Sequence, residues 1–164
     1  MLKRDHLLGL LDDELQTHRF RDYCPNGLQV EGREQVRRLG TGVTARQALI
    51  DAAIVEEADA IFVHHGYFWK NEDQRVRGMK KQRLQTLLRH DISLFAYHLP
   101  LDAHPQLGNN AQLARRLGLH MEGGLEPDNP LSVGNVGRLD EPMSAEDFAA
   151  HVEAVLGREA LHIG

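Results

Sequence analysis

Cysteine is nearly absent from this chain. Cys24 is the only one in 164 residues, so no intrachain disulfide can form, which fits a reducing cytoplasm. A lone cysteine reads first as a small buried hydrophobe; a catalytic thiol would need a histidine partner that sequence cannot place. An excess of positive charge is missing too. The formal net charge is −5, which argues against a strongly electrostatic nucleic-acid partner and leaves room only for a local basic patch. No apolar run is long enough to span a bilayer. The stretch from Met1 to Leu11 is too short for a signal peptide, and Asp12, Asp13 and Glu14 follow where small residues should sit. There is no internal repeat and no low-complexity segment. These absences lead to the expectation of a cytoplasmic globular chain without a membrane partner.

What is present is ordinary in bulk. Hydrophobic residues make up 41% and charged residues 26%, as in a typical soluble domain. A chain of this length buries roughly 68–70% of its unfolded surface, so residues 1–164 are expected to form a single domain. Ten histidines is a high count and needs sorting.

The chain is organised around Ala60-Ile61-Phe62-Val63-His64-His65-Gly66. Four apolar residues suit a buried strand, and the two histidines then fall at its carboxyl end, where open α/β sheets bind ligands. Ser93-Leu94-Phe95-Ala96-Tyr97 ends the same way, in His98-Leu99-Pro100-Leu101-Asp102. Around these runs the order is strand, helix, strand, helix, strand, which favours a parallel sheet. A first helix over Leu7, Leu8, Leu11 and Leu15 ends near His18. Pro25-Asn26-Gly27 is turn chemistry, either a plain connection or a site-lining loop, and Leu28–Val30 is a short strand. Val36–Val43 reads as one strand. Thr44 is expected to cap a helix with Gln47 at its third position, burying Ala48, Leu49, Ala52 and Val55. Gly40-Thr41-Gly42 with Ala45 formally matches a dinucleotide fingerprint, but no acidic residue ends a second strand at the right offset.

Tyr67-Phe68-Trp69-Lys70-Asn71 is an aromatic loop, with two rings expected to pack and one able to line a pocket. Gly78–His90 is helical, with a stripe of Met79, Arg83, Leu84, Leu87 and Leu88. Asn109 or Asn110 caps a helix that Gly118 stops. Gly123–Pro130 is loop-like and Val133–Leu139 a weak strand. Ser144 caps a last helix ending at Gly157, with Phe148, Val152, Val155 and Leu156 inward. Ala160–Ile163 begins a further strand.

Consecutive residues in a strand point to opposite sides. His64 and His65 therefore serve two neighbouring ions more readily than they chelate one. Pro100 disfavours a helix, which places His98 and Asp102 on a strand end and the loop after it. Asp102 would supply an anionic oxygen. Imidazole with carboxylate suits zinc, iron, nickel or manganese, and open positions on such ions activate water. The bland alternative is a hydrogen-bonded structural histidine pair. His104 is either a supporting residue or simply exposed. His6, His18, His90, His120, His151 and His162 read as structural or solvent-facing.

Several motifs together resemble the NIF-three-like family, in its bacterial YbgI branch of GTP cyclohydrolase 1 type 2 homologues. They are Tyr23-Cys24-Pro25-Asn26-Gly27-Leu28-Gln29-Val30-Glu31-Gly32, Gly42-Val43-Thr44-Ala45, Val63-His64-His65-Gly66-Tyr67-Phe68-Trp69, and His98-Leu99-Pro100-Leu101-Asp102-Ala103-His104-Pro105 through Gly108-Asn109-Asn110. The resemblance covers essentially the whole chain. It implies an α/β fold, a layered sheet with helices on both faces. It also implies two divalent cations per subunit and a ring-shaped homo-oligomer, typically a hexamer. Matched by motif, His64, His65 and Asp102 are metal ligands and His98 lies near the metals, where it would shuttle protons. The family adds a His and a Glu from a C-terminal His-x-x-x-Glu motif. No such motif lies near Gly164, so a truncated chain with weaker metal binding is expected. Two functions follow from the resemblance. One is a metal-dependent hydrolase of an unknown small-molecule substrate. The other is a non-catalytic metal-binding regulatory or interaction protein, from which metal storage cannot be told apart.

Overall fold

The runs Ala60–Val63 and Leu94–Tyr97 are apolar at every position, which calls for a sheet covered on both faces. The computed structural model describes residues 1–163, and the chain divides into two compact units, Met1–Leu101 and Asp102–Gly164. In chain order the elements are β1 (Leu2–Lys3), α1 (Arg4–Leu15), β2 (Gly27–Val30), β3 (Gln35–Val36), β4 (Leu39–Thr44), α2 (Gln47–Val55), β5 (Ala60–His65), α3 (Gly78–Arg89), β6 (Ser93–Ala96), α4 (Leu99–Ala103), α5 (Asn109–Leu117), β7 (His120–Gly124), β8 (Asn135–Arg138) and α6 (Ala145–Leu156).

The first unit holds a four-stranded sheet in the order β2-β6-β5-β4. β4, β5 and β6 are parallel, as the strand–helix alternation predicts. β2 runs antiparallel to β6 on the outer edge, a common addition to parallel sheets. Alternation along the strands sorts the core into two. Ile61, Val63, Leu94 and Ala96 pack with Ile50 and Ala53 of α2 and Leu84 and Leu87 of α3. Ala60, Phe62, Phe95 and Tyr97 pack with Leu7, Leu8, Leu11 and Leu15 of α1. This is the layered α/β arrangement expected, with helices on both faces.

Several local expectations need correction. The single strand predicted over Val36–Val43 is two pieces. β3 pairs with β1 and β4 with β5, and the break falls at Arg37 and Arg38, whose backbone N–H groups both donate to Asp59 Oδ2, at 2.8 and 3.0 Å. Thr44 is not a helix cap, because pairing with His65 keeps it in β4. α2 therefore starts after Arg46 and its buried face is Ile50 and Ala53, with Leu49 and Ile54 packed alongside, while Val55 is 80% exposed. In α3 only Leu84 and Leu87 of the stripe are buried; Met79 and Leu88 face out. Pro100 does not prevent a helix, because it sits in the first turn of α4, where its missing N–H would have no intrahelical partner anyway. The Gly40-Thr41-Gly42 stretch lies inside β4 and forms no phosphate loop.

At the amino ends of β5 and β6 a set of arginines ties off helix ends. Arg33 donates to the carbonyls of His90 and Asp91, and Arg38 to that of Glu56, satisfying carbonyls at the carboxyl ends of α3 and α2. Asp59 is the buried anchor of this group, accepting from Arg33 Nη1 at 2.8 Å as well as from the two backbone N–H groups.

In the second unit, α5 is preceded by Gly108 rather than capped by an asparagine side chain, and ends at Gly118 with φ +69°. β7 and β8 form an antiparallel pair. Ser144 caps α6 as predicted, its hydroxyl accepting from the Asp147 N–H at 3.0 Å. The α6 residues Phe148, Val152 and Val155 are half-buried and Leu156 is exposed. Ala160–Ile163, predicted as a strand, has no regular structure, and Leu161 and Ile163 are exposed. No helix among the described residues is long and apolar enough to cross a membrane.

Asp59 allows a test of the fold. Burial works against its charge, yet the N–H groups of Arg37 and Arg38 and the Arg33 guanidinium outweigh it and hold the carboxyl below its ordinary 3.8. A lowered folded value stabilises above the unfolded pKa and loses that contribution as pH falls through the folded value. Asp59→Asn is expected to cost about 2–3 kcal/mol at neutral pH. It should also flatten the decline in stability below pH 3.8, read by urea unfolding across pH.

Candidate metal centre

The carboxyl ends of β5 and β6 lie side by side, and the last paired residues are Val63 and Ala96. His64 lies one residue beyond that pair, and Tyr97 closes the ladder through its N–H to Val63 O, at 3.0 Å. Because β5 and β6 are neighbours in the sheet, side chains at their carboxyl ends can meet.

His64, His65 and His98 do meet. One ligand-type nitrogen from each lies within 4.8 Å of the other two. The ring centroids are 4.2 Å apart for His64 and His65, 5.0 Å for His64 and His98, and 5.8 Å for His65 and His98. The expectation that the neighbours His64 and His65 diverge is corrected here. Strand alternation fixes the direction of each Cβ, not the position of the imidazole beyond it, and at the carboxyl end of β5 the two rings come together.

Each ring is held through Nδ1. His64 Nδ1 lies 3.1 Å from Tyr97 O, and a carbonyl only accepts, so Nδ1 carries the hydrogen and Nε2 the lone pair. His98 Nδ1 lies 2.7 Å from Asp22 Oδ1, with the same consequence. His65 Nδ1 meets Thr44 Oγ1 at 3.2 Å, and a hydroxyl can either donate or accept. Thr44 thus serves the ring of the residue it pairs with.

Asp22 is the residue that sequence reasoning missed. Its side chain is 3% exposed. One oxygen accepts from His98 and the Tyr23 N–H. The other accepts from Asn26 Nδ2 at 2.9 Å and the Leu99 N–H at 2.8 Å. Asn26 Oδ1 in turn accepts from the His98 N–H at 2.7 Å. Burial opposes the charge on Asp22, and the bonds from His98, Asn26, Leu99 and Tyr23 outweigh it, holding the carboxyl below its ordinary range. The Pro25-Asn26-Gly27 loop is therefore site-lining. The signal was the run of Asp and Asn around Pro25, but no spacing rule links it to His98.

Asp22, Cys24 and His98 also lie close enough together to suggest a second cation group. The chemistry argues against that. Asp22 already accepts four hydrogen bonds, from Tyr23, Asn26, His98 and Leu99, and without a cation burial, then the charge of Asp22, push the Cys24 thiol up to about 11. Cys24 is a buried packing residue, as expected from its solitude.

Two further supports complete the site. Gly66 passes so close to Gln29 and Ala96 that a Cβ there would lie 2.6 Å from the Ala96 Cβ and would overlap the Gln29 amide. Gln29 Oε1 accepts from the Tyr67 N–H at 2.6 Å and its Nε2 donates to Tyr67 O at 3.1 Å. Trp69 stands edge-on to His98 at 4.9 Å and 6.0 Å from His65, and is the ring of the aromatic loop that reaches the site.

Asp102 lies on α4, four residues after His98 along the chain, and opens the second unit. Its Oδ1 accepts from Asn109 Nδ2 at 2.9 Å. His104 Nδ1 accepts from the N–H groups of Gln106 and Leu107, at 3.2 and 3.0 Å, which gives it a local turn-forming role. His151 Nε2 meets Leu117 O at 3.0 Å and His120 pairs with Asp140 at 2.9 Å. His6, His18, His90 and His162 are exposed.

The model of the family described as DUF34/NIF3, NGG1p interacting factor 3, matches residues 2–164. The chain belongs to the DUF34/NIF3 family. It is 63% identical over 150 residues to a GTP cyclohydrolase 1 type 2 homolog of Pseudomonas aeruginosa, covering 92% of this chain and 60% of the relative. The Escherichia coli K12 protein of that name is 51% identical over 163 residues, covering 99% and 64%. Among solved structures, the protein ybgI, of unknown function, superposes with a TM-score of 0.91 at 51% identity, covering 98% of this chain and 63% of that one. TTHA1606 from Thermus thermophilus gives 0.86 at 38%, covering 98% and 64%. This DUF34/NIF3 chain thus spans 60–64% of the length of these relatives.

Asp22→Asn is expected to lower stability by about 2–4 kcal/mol, because it keeps the size but turns an acceptor into a donor against buried donors. In the same variant, ¹⁵N NMR should show His98 losing its single Nδ1–H tautomer. An unchanged imidazole spectrum would contradict the assigned bond.

Proposed function

We propose that this DUF34/NIF3 chain holds a divalent cation at the carboxyl ends of β5 and β6 and belongs to a metal-dependent hydrolase. The observation that carries the reading is the convergence of His64 and His65 with His98 beside them, one ligand-type nitrogen of each within 4.8 Å of the other two, which leaves a pair to hold the ion and a third imidazole next to it. The donor set fits a cation. Tetrahedral zinc with bonds near 2.0–2.1 Å separates its nitrogen ligands by roughly 3.4 Å, so the observed spacing needs only a modest closing of the rings. Nδ1–H held by a carbonyl, as in His64, is the support that ligating histidines use. Imidazole suits zinc, iron, nickel or manganese.

In this reading His64 and His65 ligate, and the sequence offers Asp102 as the anionic ligand. When bound, the cation supplies Lewis acidity and a water of lowered pKa. His98 moves protons. Its Nε2 takes one from the attacking group and returns it to the leaving group, while Asp22, 2.7 Å from Nδ1, stabilises the imidazolium between the two steps. Trp69, against the rings of His98 and His65, keeps water from one side of the pair.

Calorimetric titration of zinc or manganese separates the roles. His64→Ala and His65→Ala should abolish tight binding, and Asp102→Asn should weaken it. His98→Gln should keep the cation and lower kcat by about 10²–10⁴-fold on any substrate turned over. Full metal content in His64→Ala would overturn the site. Unchanged turnover in every variant would show that the cation is not catalytic, and cation binding with no substrate turned over would favour the non-catalytic interaction protein.

A further inference from the structure

Next to the imidazoles is a cavity of about 600 Å³, lined among others by Phe68, Trp69, Lys70, Glu72 and Lys80. That volume is in the range of small-molecule sites. Trp69 belongs to both places, since it lines the cavity and touches the His98 ring at 4.9 Å. A molecule in the cavity is therefore one side chain away from His98.

Three features of the wall point to what it binds. Phe68 has φ of +65°, a left-handed conformation that costs energy in a bulky residue, whereas Asn71 at +71° is of a type that tolerates it. Phe68 is nevertheless 38% exposed, so burial of its ring does not offset that strain. The two lysines differ. Lys80 Nζ lies 3.4 Å from Glu72 and 5.1 Å from the centre of the Phe68 ring, and donates to Asp73 O, so its charge is matched by Glu72. Lys70 has its backbone pinned through its N–H to Tyr23 O at 2.6 Å, while its ammonium has no ion-pair or hydrogen-bond partner among the described residues. The cavity therefore presents two aromatic rings and one unmatched positive charge.

We propose that this cavity binds a flat aromatic or heteroaromatic ring that carries an anionic group, the ring against Phe68 and Trp69 and the anion at Lys70. The assignment of this molecule as substrate rests on the three imidazoles being the reaction centre; its binding does not. Aromatic walls are indifferent to ring identity, so the class is set by flatness and by one negative group.

Trp69 is the only tryptophan in the chain, and its fluorescence reads the site directly. The full chain, kept in EDTA, is titrated with AMP, with adenosine and with ribose 5-phosphate. AMP should quench saturably and bind more tightly than either part alone. Lys70→Ala should weaken AMP about five-fold or more and leave adenosine unchanged. Phe68→Ala should weaken both by about ten-fold. Both side chains are exposed, and circular dichroism checks that the variants fold. Absence of saturable quenching, ribose 5-phosphate binding as well as AMP, or AMP binding unaltered by Lys70→Ala would each overturn the proposal. AMP binding retained in His64→Ala, which should hold no zinc, supports a pocket that is independent of the cation. Loss of zinc binding in the unaltered chain would sink the metal reading and leave the pocket standing.

Discussion

The fixed imidazole is the constraint on which the rest of this structure depends. A histidine at a strand end is free to rotate about χ1 and χ2, and a site built from three of them disperses unless each ring is tied. Here the ties come from three different places in the chain: the Tyr97 carbonyl, the Thr44 hydroxyl and the Asp22 carboxylate. Each tie is made at Nδ1. The sheet order explains how that is possible. β5 lies between β4 and β6, so Thr44 at the end of one neighbour and Tyr97 at the end of the other flank its two terminal histidines. The scaffold therefore sets the orientation of the rings as well as their position, which is what preorganisation of such a site requires.

The carboxylate of Asp22 is the costliest part of this arrangement and the best supported. An ionised group with 3% of its side chain exposed is tolerated only when its lone pairs are used. Asp22 meets that condition with two backbone N–H groups, one amide and one imidazole. Two of these donors, Leu99 and His98, belong to the β6–α4 corner, so the same atom set that neutralises the burial cost also fixes the corner on which His98 sits. Tyr97 contributes from the opposite side. Its hydroxyl donates to Asp12 Oδ1 at 3.0 Å, and burial together with Asp12 pushes its pKa far up, so it stays a neutral donor joining α1 to the end of β6.

Much of this was legible in the sequence, and the reasons differ by element. The strands β5 and β6 were plain because continuous apolar runs ending in polar residues have few other readings. α6 was plain because Ser144 and Asp147 are local cap chemistry. The phase of α2 was misread because Thr44 satisfies a capping pattern, yet its strand pairing with His65 takes precedence over local propensity. The split between β3 and β4 was hidden because its cause, Asp59, lies more than twenty residues away in sequence. The same limit applies at the site. His64, His65 and His98 could be picked out as residue types at strand ends, whereas the convergence of the first two contradicted the period-2 rule, which describes Cβ directions and not ring positions beyond a terminus. Asp22 and Trp69 support His98 through contacts that no spacing encodes.

The edge strand β2 has one more consequence. It pairs antiparallel with β6, and the loop before it supplies Asp22, 76 residues from the imidazole it holds. The bond from Asp22 to His98 therefore rests on β2 staying paired with β6, and fraying of that edge would release the imidazole from its carboxylate.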